Sequence, residues 1–319
     1  MRIHVQNAPN DPDFEITPAL WAAAGAPAAL SFGDTPAALD AALPNIDALF
    51  TNAGALFSRA ELNAPHLKLI FCTSAGLDRL APFQWLPPGV ALLNNSGAHG
   101  DRAGEYAAMA LLMLAGHMPA MIANQRTQTW KKRYASILAG RRVTIVGTGT
   151  LGASAARAAR RFAMATPGVR TPPDPHPDFD TIITQDQLDA ALPEAEFLLL
   201  AAPLTPDTRG MIDRRRLELL PKGAGVINIG RGALIDQDAL CDLLDAGHIG
   251  GAVLDVFVPE PIPPGHRLWT TTNLVITPHC SADDPNTYAS DSVRIFLRNL
   301  AAFERGEPMP NRIDPNRGY

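Results

Sequence analysis

The chain has 319 residues, of which 46% are hydrophobic and 18% charged, and its formal net charge is −5. This length and balance predict a folded protein with two domains of about 100–200 residues each. The negative charge excludes a broad basic surface for nucleic acid or an anionic membrane, but it is compatible with a local basic pocket for an anionic substrate.

The cysteines are few and odd in number: Cys72, Cys241 and Cys280. They form no CxxC pair, so we predict neither a disulfide framework nor a metal site. The first residues lack the apolar core of a signal peptide, and the apolar stretch Tyr106–Met118 is too short to span a bilayer. We therefore expect a soluble, cytoplasmic protein whose partner is a small molecule.

In the first part of the chain, short apolar runs alternate with alanine-rich helical stretches. The predicted strands are Arg2–Val5, Ala48–Phe50, Leu67–Cys72 and Ala91–Asn94. This alternation is typical of a parallel α/β sheet. A long apolar helix, predicted over Gly104–Met118, then leads to a second set of strands.

The second set also alternates, and its strands are apolar throughout, as expected when helices cover both faces of a sheet. The predicted strands are Arg142–Val146, Leu198–Ala201, Gly225–Asn228, Gly251–Asp255 and Leu274–Thr277. The predicted helices are Ala153–Phe162, Arg214–Leu220, Gln237–Ala246 and Tyr288–Glu304. A further strand within residues 164–171 is expected to be short or to start late, because Pro167 lacks a ladder donor.

A glycine-rich turn follows the first strand of this second set and opens a helix. Its residues are Gly147, Thr148, Gly149, Thr150, Leu151 and Gly152. In this context the spacing predicts a dinucleotide site, with the pyrophosphate at the helix N-terminus. The alternative is a glycine turn that binds no ligand.

The strand after this turn predicts which dinucleotide is bound. An acid about 20 residues beyond the turn is typical of NAD sites, because it binds the ribose 2′-hydroxyl. Arg170 and Thr171 stand there instead, and an arginine pairs with a 2′-phosphate. We therefore expect NADPH to be favoured and NAD to remain possible. The alternative is that Arg170 points to solvent and both cofactors are accepted.

Three more segments follow predicted strands, at the edge where open α/β sheets bind ligands. They are Asn228–Gly232, Asp255–Pro261 and Thr277–His279. Together with the glycine turn they resemble the D-isomer-specific 2-hydroxyacid dehydrogenases, particularly glyoxylate/hydroxypyruvate reductases. The resemblance covers nearly the whole chain and includes Ser74–Asp78, Gly104–Glu105, Ala202–Thr208 and Gly225–Ala233.

The resemblance implies two doubly wound parallel-sheet α/β domains. A flavodoxin-like substrate domain, residues 1–98 completed by 285–319, would contain an inserted Rossmann cofactor domain, residues 99–284. A homodimer is implied, with the helix near Ala107–Met118 as a candidate contact. The chain departs from the family at Gly104, where alanine is usual, and at Ala163, where glycine is frequent.

The residue types suit reduction of a 2-keto acid. The forked guanidinium of Arg231 can hold the carboxylate and polarise the carbonyl. A histidine suits proton transfer to the developing alkoxide, so His279 is the expected general acid. Resemblance assigns Glu260 as the carboxylate that orients and charges His279, and the backbone of Ala75 and Gly76 as a second grip on the substrate.

Resemblance also implies further cofactor contacts at the strand ends, and Asp255 matches the partner of the nicotinamide carboxamide. The set is Ala202, Pro203, Thr208, Ile229, Gly230, Arg231, Asp255 and His279.

These observations predict hydride transfer between NADPH and a small 2-keto acid or D-2-hydroxy acid, such as glyoxylate or hydroxypyruvate. One alternative is an NAD-dependent dehydrogenase for a bulkier substrate. Another is a dinucleotide-sensing, corepressor-like binding protein, which the absence of long low-complexity tails disfavours. Taken singly, Arg231, Glu260 and His279 could each be structural. A Cys280–His279 nucleophile pair is disfavoured because sequence neighbours usually point apart.

Overall fold

The computed structural model describes residues 1–8, 15–29, 31–57, 61–315 and 317. The chain divides into two compact units, one formed by Met1–Ala98 with Asp284–Tyr319 and the other by His99–Asp283. The second boundary precedes Asp284, one residue before the boundary expected from the sequence.

The first unit contains strands β1 (Ile3–Gln6), β2 (Ser31–Gly33), β3 (Ala48–Thr51), β4 (Leu69–Cys72) and β5 (Ala91–Leu93). The second contains β6 (Val143–Val146), β7 (Pro167–Val169), β8 (Thr181–Ile183), β9 (Phe197–Leu200), β10 (Gly225–Asn228), β11 (Gly251–Leu254) and β12 (Leu274–Ile276). The helices are α1 (Pro18–Ala23), α2 (Pro36–Ala42), α3 (Gly100–Ala115), α4 (Met118–Arg126), α5 (Thr150–Arg160), α6 (Leu188–Ala191), α7 (Arg214–Leu219), α8 (Gln237–Asp245) and α9 (Tyr288–Glu304).

The sheet of the first unit is parallel and has the order β2-β1-β3-β4-β5, the order of flavodoxin-like folds. Helix α9, from the end of the chain, packs onto this unit through the Phe296 ring. The centroid of that ring lies 5.5 Å from those of Trp21 and Phe50 and 5.7 Å from that of Phe71. The aromatic cluster therefore fixes the C-terminal helix in the core of the first unit.

The sheet of the second unit is also parallel, with the order β12-β11-β10-β9-β6-β7-β8. Read from β8, the first six strands have the Rossmann order 3-2-1-4-5-6. The direction of winding reverses between β6 and β9, which is where such sheets bind their ligand. The glycine turn leaves β6 at this point.

The predicted fold class, two doubly wound parallel sheets, is confirmed. The predicted strands are present, with ends displaced by at most two residues. Strands β2 and β8 were not predicted: each is a partly exposed, three-residue edge strand, and neither has the three consecutive apolar residues that made the edge strand β12 predictable. Pro167 is the first residue of β7, a position where a missing N–H is tolerated.

The long apolar helix differs from the prediction at both ends. It begins at Gly100 rather than Gly104 and ends at Ala115 rather than Met118. Gly116 caps it, and His117 has a left-handed φ of 54° that turns the chain into α4. Within the described residues no single helix could span a membrane; only α3 and α4 taken together pass by length and composition, and they are bent by 64°.

Candidate active site

The glycine turn after β6 contains three glycines. Packing within the protein requires glycine at two of these positions, Gly147 and Gly152, but not at the third, Gly149. A Cβ added to Gly147, whose φ is 95°, would lie 2.6 Å from the Ala202 nitrogen, and one on Gly152 would lie 1.9 Å from the Gly147 oxygen. A Cβ on Gly149 would meet nothing within 4 Å. Gly149 caps α5 without a side-chain bond to the helix amides. The open backbone at Gly149 and the start of α5 therefore fit a dinucleotide pyrophosphate.

Arg170 comes directly after β7, and its amide donates to the Ile183 carbonyl at 3.0 Å. Its guanidinium lies 3.9 Å from the Asp174 carboxylate. The loop that follows is fastened to α5, because Arg157 pairs with Asp178 at 2.6 Å and Arg160 donates to the Pro177 carbonyl at 3.0 Å. The backbone around Arg170 and the exposed Thr171 is thus held from both sides.

The segment after β9 contains Ala202, Pro203 and Thr208 and is braced internally. The Thr208 hydroxyl donates to the Pro203 carbonyl at 2.7 Å and accepts from the Thr205 amide at 2.8 Å. Thr208 therefore fixes the shape of the loop beside the glycine turn, next to the close approach of Gly147 and Ala202.

The segment after β10 carries Ile229, Gly230 and Arg231, and Asn228 holds it in place. The Asn228 side chain accepts from the Gly230 amide at 3.1 Å and donates to the Arg231 carbonyl at 2.9 Å. A Cβ on Gly232 would lie 2.3 Å from the Phe257 carbonyl carbon. The segment of Arg231 therefore packs backbone to backbone against the one that follows β11.

His279 and Glu260 are in direct contact. His279 Nδ1 lies 2.8 Å from Glu260 Oε2, while Glu260 Oε1 accepts from the Phe257 amide at 2.8 Å. Glu260 is held by its own turn, and 49% of the His279 side chain is exposed. With Nδ1 bound to the carboxylate, Nε2 is the ring nitrogen that can exchange a proton with a substrate.

Asp255 lies at the end of β11 and is 1% exposed. Its Oδ1 accepts from the Thr277 hydroxyl at 2.5 Å and from the Cys280 amide at 3.0 Å. Its Oδ2 accepts from the Ser281 amide at 3.0 Å. Asp255 thus organises the segment that carries His279, in addition to the cofactor contact expected for it.

Cys280 does not resemble an activated nucleophile. Desolvation and, next, the negative charge of Asp255 raise the pKa of the Cys280 thiol. A reactive cysteine needs the opposite shift. In addition, Nδ1 of the neighbouring His279 is hydrogen-bonded to Glu260 rather than to Cys280.

The expected site residues divide between the two units. Arg231, Glu260 and His279, with the glycine turn and Arg170, lie in the second unit. Ala75 and Gly76 lie in the first unit, after β4, where the Asn94 side chain donates to the Ala75 carbonyl at 3.0 Å.

Sequence reasoning did not identify three residues that hold the site: Asn228, Thr277 and Tyr106. Asn228 and Thr277 belong to motifs that were recognised, and their position at strand ends could have indicated that they hold the site. Tyr106 lies in α3, 171 positions before Thr277, and its hydroxyl is 2.6 Å from that of Thr277. No local pattern in the sequence indicates that contact.

Comparison with known proteins decides the family. Residues 108–281, more than half of the chain, match the model of the D-isomer specific 2-hydroxyacid dehydrogenase NAD binding domain. The chain belongs to the D-isomer-specific 2-hydroxyacid dehydrogenases. It is therefore an NAD(P)-dependent oxidoreductase.

Relatives of this dehydrogenase cover its whole length. A D-isomer specific 2-hydroxyacid dehydrogenase from Xanthobacter autotrophicus, solved with NADPH and MES, is 28% identical to this chain. The match covers 100% of this chain and 99% of that protein, with a TM-score of 0.84. An NADPH-dependent glyoxylate/hydroxypyruvate reductase from Sinorhizobium meliloti, solved with NADP and sulfate, is 28% identical over 100% of both chains, with a TM-score of 0.83. An uncharacterized protein of Corynebacterium melassecola is 30% identical over 260 residues, 80% of this chain and 84% of its own.

Proposed function

We propose that this dehydrogenase reduces a small 2-keto acid, with glyoxylate or hydroxypyruvate as the expected substrate, to the 2-hydroxy acid, of D configuration where the product is chiral, and that it prefers NADPH. The observation that carries the proposal is the 2.8 Å contact between His279 Nδ1 and Glu260 at one strand end. The segment of Arg231 packs beside them. A cation, a proton donor and an orienting carboxylate are the groups that this reduction needs.

In the proposed reaction, Arg231 binds the substrate carboxylate and polarises the adjacent carbonyl through its guanidinium. When bound, the nicotinamide cofactor supplies a hydride to the carbonyl carbon. His279 Nε2 gives a proton to the carbonyl oxygen, so the C=O group becomes the alcohol of the 2-hydroxy acid. Glu260 accepts a hydrogen bond from His279 Nδ1 and so keeps the ring oriented during this transfer. In the reverse direction His279 accepts the proton.

The glycine turn would hold the pyrophosphate and Arg170 the 2′-phosphate of the cofactor. Two features support NADPH. Arg170, rather than an acid, follows β7, and the loop after it is fastened to α5. The Xanthobacter and Sinorhizobium relatives were solved with NADPH and NADP, respectively. The contacts expected from Thr171, Ile229, Gly230 and Asp255 remain part of the proposal.

A panel of 2-keto acids tests the proposed substrate class. Glyoxylate, hydroxypyruvate, pyruvate and phenylpyruvate are each reduced with NADPH and with NADH while the nicotinamide absorbance is followed. We expect the highest kcat/KM with glyoxylate or hydroxypyruvate. A higher value with phenylpyruvate would instead favour the dehydrogenase for bulkier acids, and no turnover with any of the four would contradict the proposal.

We further expect a homodimer in the cytoplasm. Helix α3 supports this expectation, because it combines a buried face with exposed apolar residues. Met109 is 39% exposed and Leu112 49%, and Met118 at the start of α4 is 42% exposed. A second copy of the chain would cover these side chains.

A further inference from the structure

Asp255 is a buried carboxylate whose hydrogen-bond donors come from one short segment of the chain. Three hydrogen bonds reach it from Thr277, Cys280 and Ser281, and all three donors lie within two residues of His279. A buried charge is costly unless such bonds compensate it. The geometry of the segment and the position of Asp255 are therefore coupled.

The hydrogen bond between Tyr106 and Thr277 has a defined direction. A threonine hydroxyl has one proton, and the Thr277 hydroxyl directs it at Asp255 Oδ1. The Thr277 hydroxyl therefore donates to Asp255, and the Tyr106 hydroxyl must donate to Thr277, over 2.5 Å and 2.6 Å respectively. Burial raises the pKa of Tyr106 to about 12, so the phenol keeps the proton that it donates.

His279 needs such support because its backbone conformation is unusual. Its φ is 54°, in the left-handed region that a residue with a side chain rarely adopts. Its amide donates to the Asp255 carbonyl at 2.9 Å. Both the side chain and the main chain of Asp255 therefore hold the turn from which the His279 ring reaches Glu260.

We propose that Tyr106 and Thr277 are positioning residues, which act through Asp255 to hold the 277–281 turn so that the His279 ring meets Glu260. Tyr106 is 2% exposed and lies in α3, the helix that opens the second unit. The role of these residues in catalysis rests on the proposed function of His279 as the general acid, whereas their effect on the orientation of the ring does not.

Two variants remove single hydroxyl groups from this chain of bonds: Tyr106→Phe and Thr277→Val. A ring displaced by a fraction of an ångström loses proton-transfer efficiency, so we expect kcat with the best 2-keto acid to fall about 10- to 100-fold. The KM and Kd for NADPH should change far less than kcat, even though Asp255 is also an expected cofactor contact. Thr277→Ser keeps the hydroxyl and should retain most of the wild-type kcat.

Thr144→Val is the matched control. The Thr144 hydroxyl is buried in β6 and has no hydrogen-bond partner among the described residues, so its removal tests the loss of a buried hydroxyl by itself. We expect wild-type kcat from this variant. All values of kcat are normalised to the fraction of protein that binds NADPH, so that misfolded protein does not contribute.

The ¹⁵N chemical shifts of the His279 ring provide a readout that does not depend on turnover. We expect the Nδ1 signal to move in Tyr106→Phe and Thr277→Val and to stay in place in Thr144→Val. Unchanged ring shifts together with wild-type kcat, or a loss of kcat equal to the loss of NADPH binding, would overturn the proposal. If the wild type reduces no 2-keto acid, the proposed function fails, and the ring shifts still test the positioning role.

Discussion

His279 is oriented by contacts on two sides. Glu260 Oε2 lies within hydrogen-bond distance of His279 Nδ1, at 2.8 Å, and Asp255 fixes the turn from which the ring extends. Replacing His279 with alanine should lower kcat by about 10²–10⁴, the usual contribution of general acid–base catalysis, and should change the Kd for NADPH much less, because His279 is one of many expected cofactor contacts. Steady-state kinetics and a cofactor titration measure both values.

The control for this change is His66→Ala, because His66 is exposed in the first unit and has no place in the proposed chemistry. It should keep wild-type kcat. Near-wild-type turnover in the His279 variant would remove that residue from the mechanism.

Arg231 tests whether the shape of the guanidinium matters as well as its charge. Lysine keeps the charge but cannot reproduce the planar fork that reaches the carboxylate and the carbonyl oxygen together. Arg231→Lys should therefore raise KM for the 2-keto acid and lower kcat, because the contact exists in both the ground and the transition state. Arg214→Lys, at a surface pair with Asp242, should change neither constant. Equal kinetics for the Arg231→Lys variant and the wild type would contradict the proposed bidentate contact.

Asp174 is expected to compete with the cofactor for Arg170, since its carboxylate lies 3.9 Å from that guanidinium. An exposed pair of this kind contributes up to about 1 kcal/mol. Asp174→Asn should therefore lower the Kd for NADPH by about two- to fivefold and leave that for NADH unchanged. Fluorescence titration measures both constants, with Glu194→Gln, which removes the surface partner of Arg142, as the control. An equal gain for the two cofactors would show that Asp174 does not act on the 2′-phosphate.

Among single residues, the sequence predicts those whose type and order suit the proposed reaction, such as Arg231, Glu260 and His279. It does not predict partners such as Tyr106, because the bond to Thr277 joins residues 171 positions apart and depends on the packing of α3. Asp255 is intermediate: its motif was recognised, but its bonds to Thr277, Cys280 and Ser281 depend on a turn that only the structure shows.

Among the elements, α5 ends in a motif that usually contains glycine. The Met164 amide donates to the Ala159 carbonyl and the Ala163 amide to the Arg160 carbonyl, while Ala163 has a φ of 55°. This is the left-handed position at which many helices end. Glycine adopts this conformation without strain, so it is the residue that the position favours and Ala163 is the departure.

Ala163→Gly should therefore stabilise the protein. Relief of the left-handed strain outweighs the greater freedom of glycine in the unfolded chain, and we expect a gain of about 1 kcal/mol in the free energy of unfolding. Urea denaturation measures it. Ala108→Gly in the middle of α3 is the matched control and should lose about 1 kcal/mol. A loss in both variants would mean that the strain at Ala163 is negligible.

The central strands could be predicted because burial on both faces requires a continuous apolar run, as in β9, β10 and β11. The same reasoning fails for β2 and β8. Each lies at the edge of its sheet, is partly exposed and has only three residues. β2 offers a single large apolar residue, Phe32, whereas β8 contains the β-branched Thr181, Ile182 and Ile183, a strand signal that a search for longer apolar runs passes over.

In the whole molecule, each unit builds its own parallel sheet, and the chemistry-bearing segments of the second unit follow neighbouring strands. β10, β11 and β12 pair in register, so the segments after them emerge side by side. The glycine turn follows β6, at the switch point of the same sheet. The order of the motifs along the sequence was sufficient to predict this arrangement, because a doubly wound parallel sheet places the carboxyl ends of its strands at one edge.

We propose that the whole molecule is an NADPH-preferring 2-keto acid reductase, and the most direct test is kcat/KM for glyoxylate with NADPH and with NADH. A charge-assisted bond from Arg170 contributes about 1.5–3 kcal/mol, so we expect the wild type to favour NADPH by roughly 10- to 150-fold. Arg170→Ala should remove most of that preference, and Arg215→Ala, at a surface pair with Asp189, should keep it. Equal values for the two cofactors in the wild type, or a preference that survives the loss of Arg170, would contradict the claim.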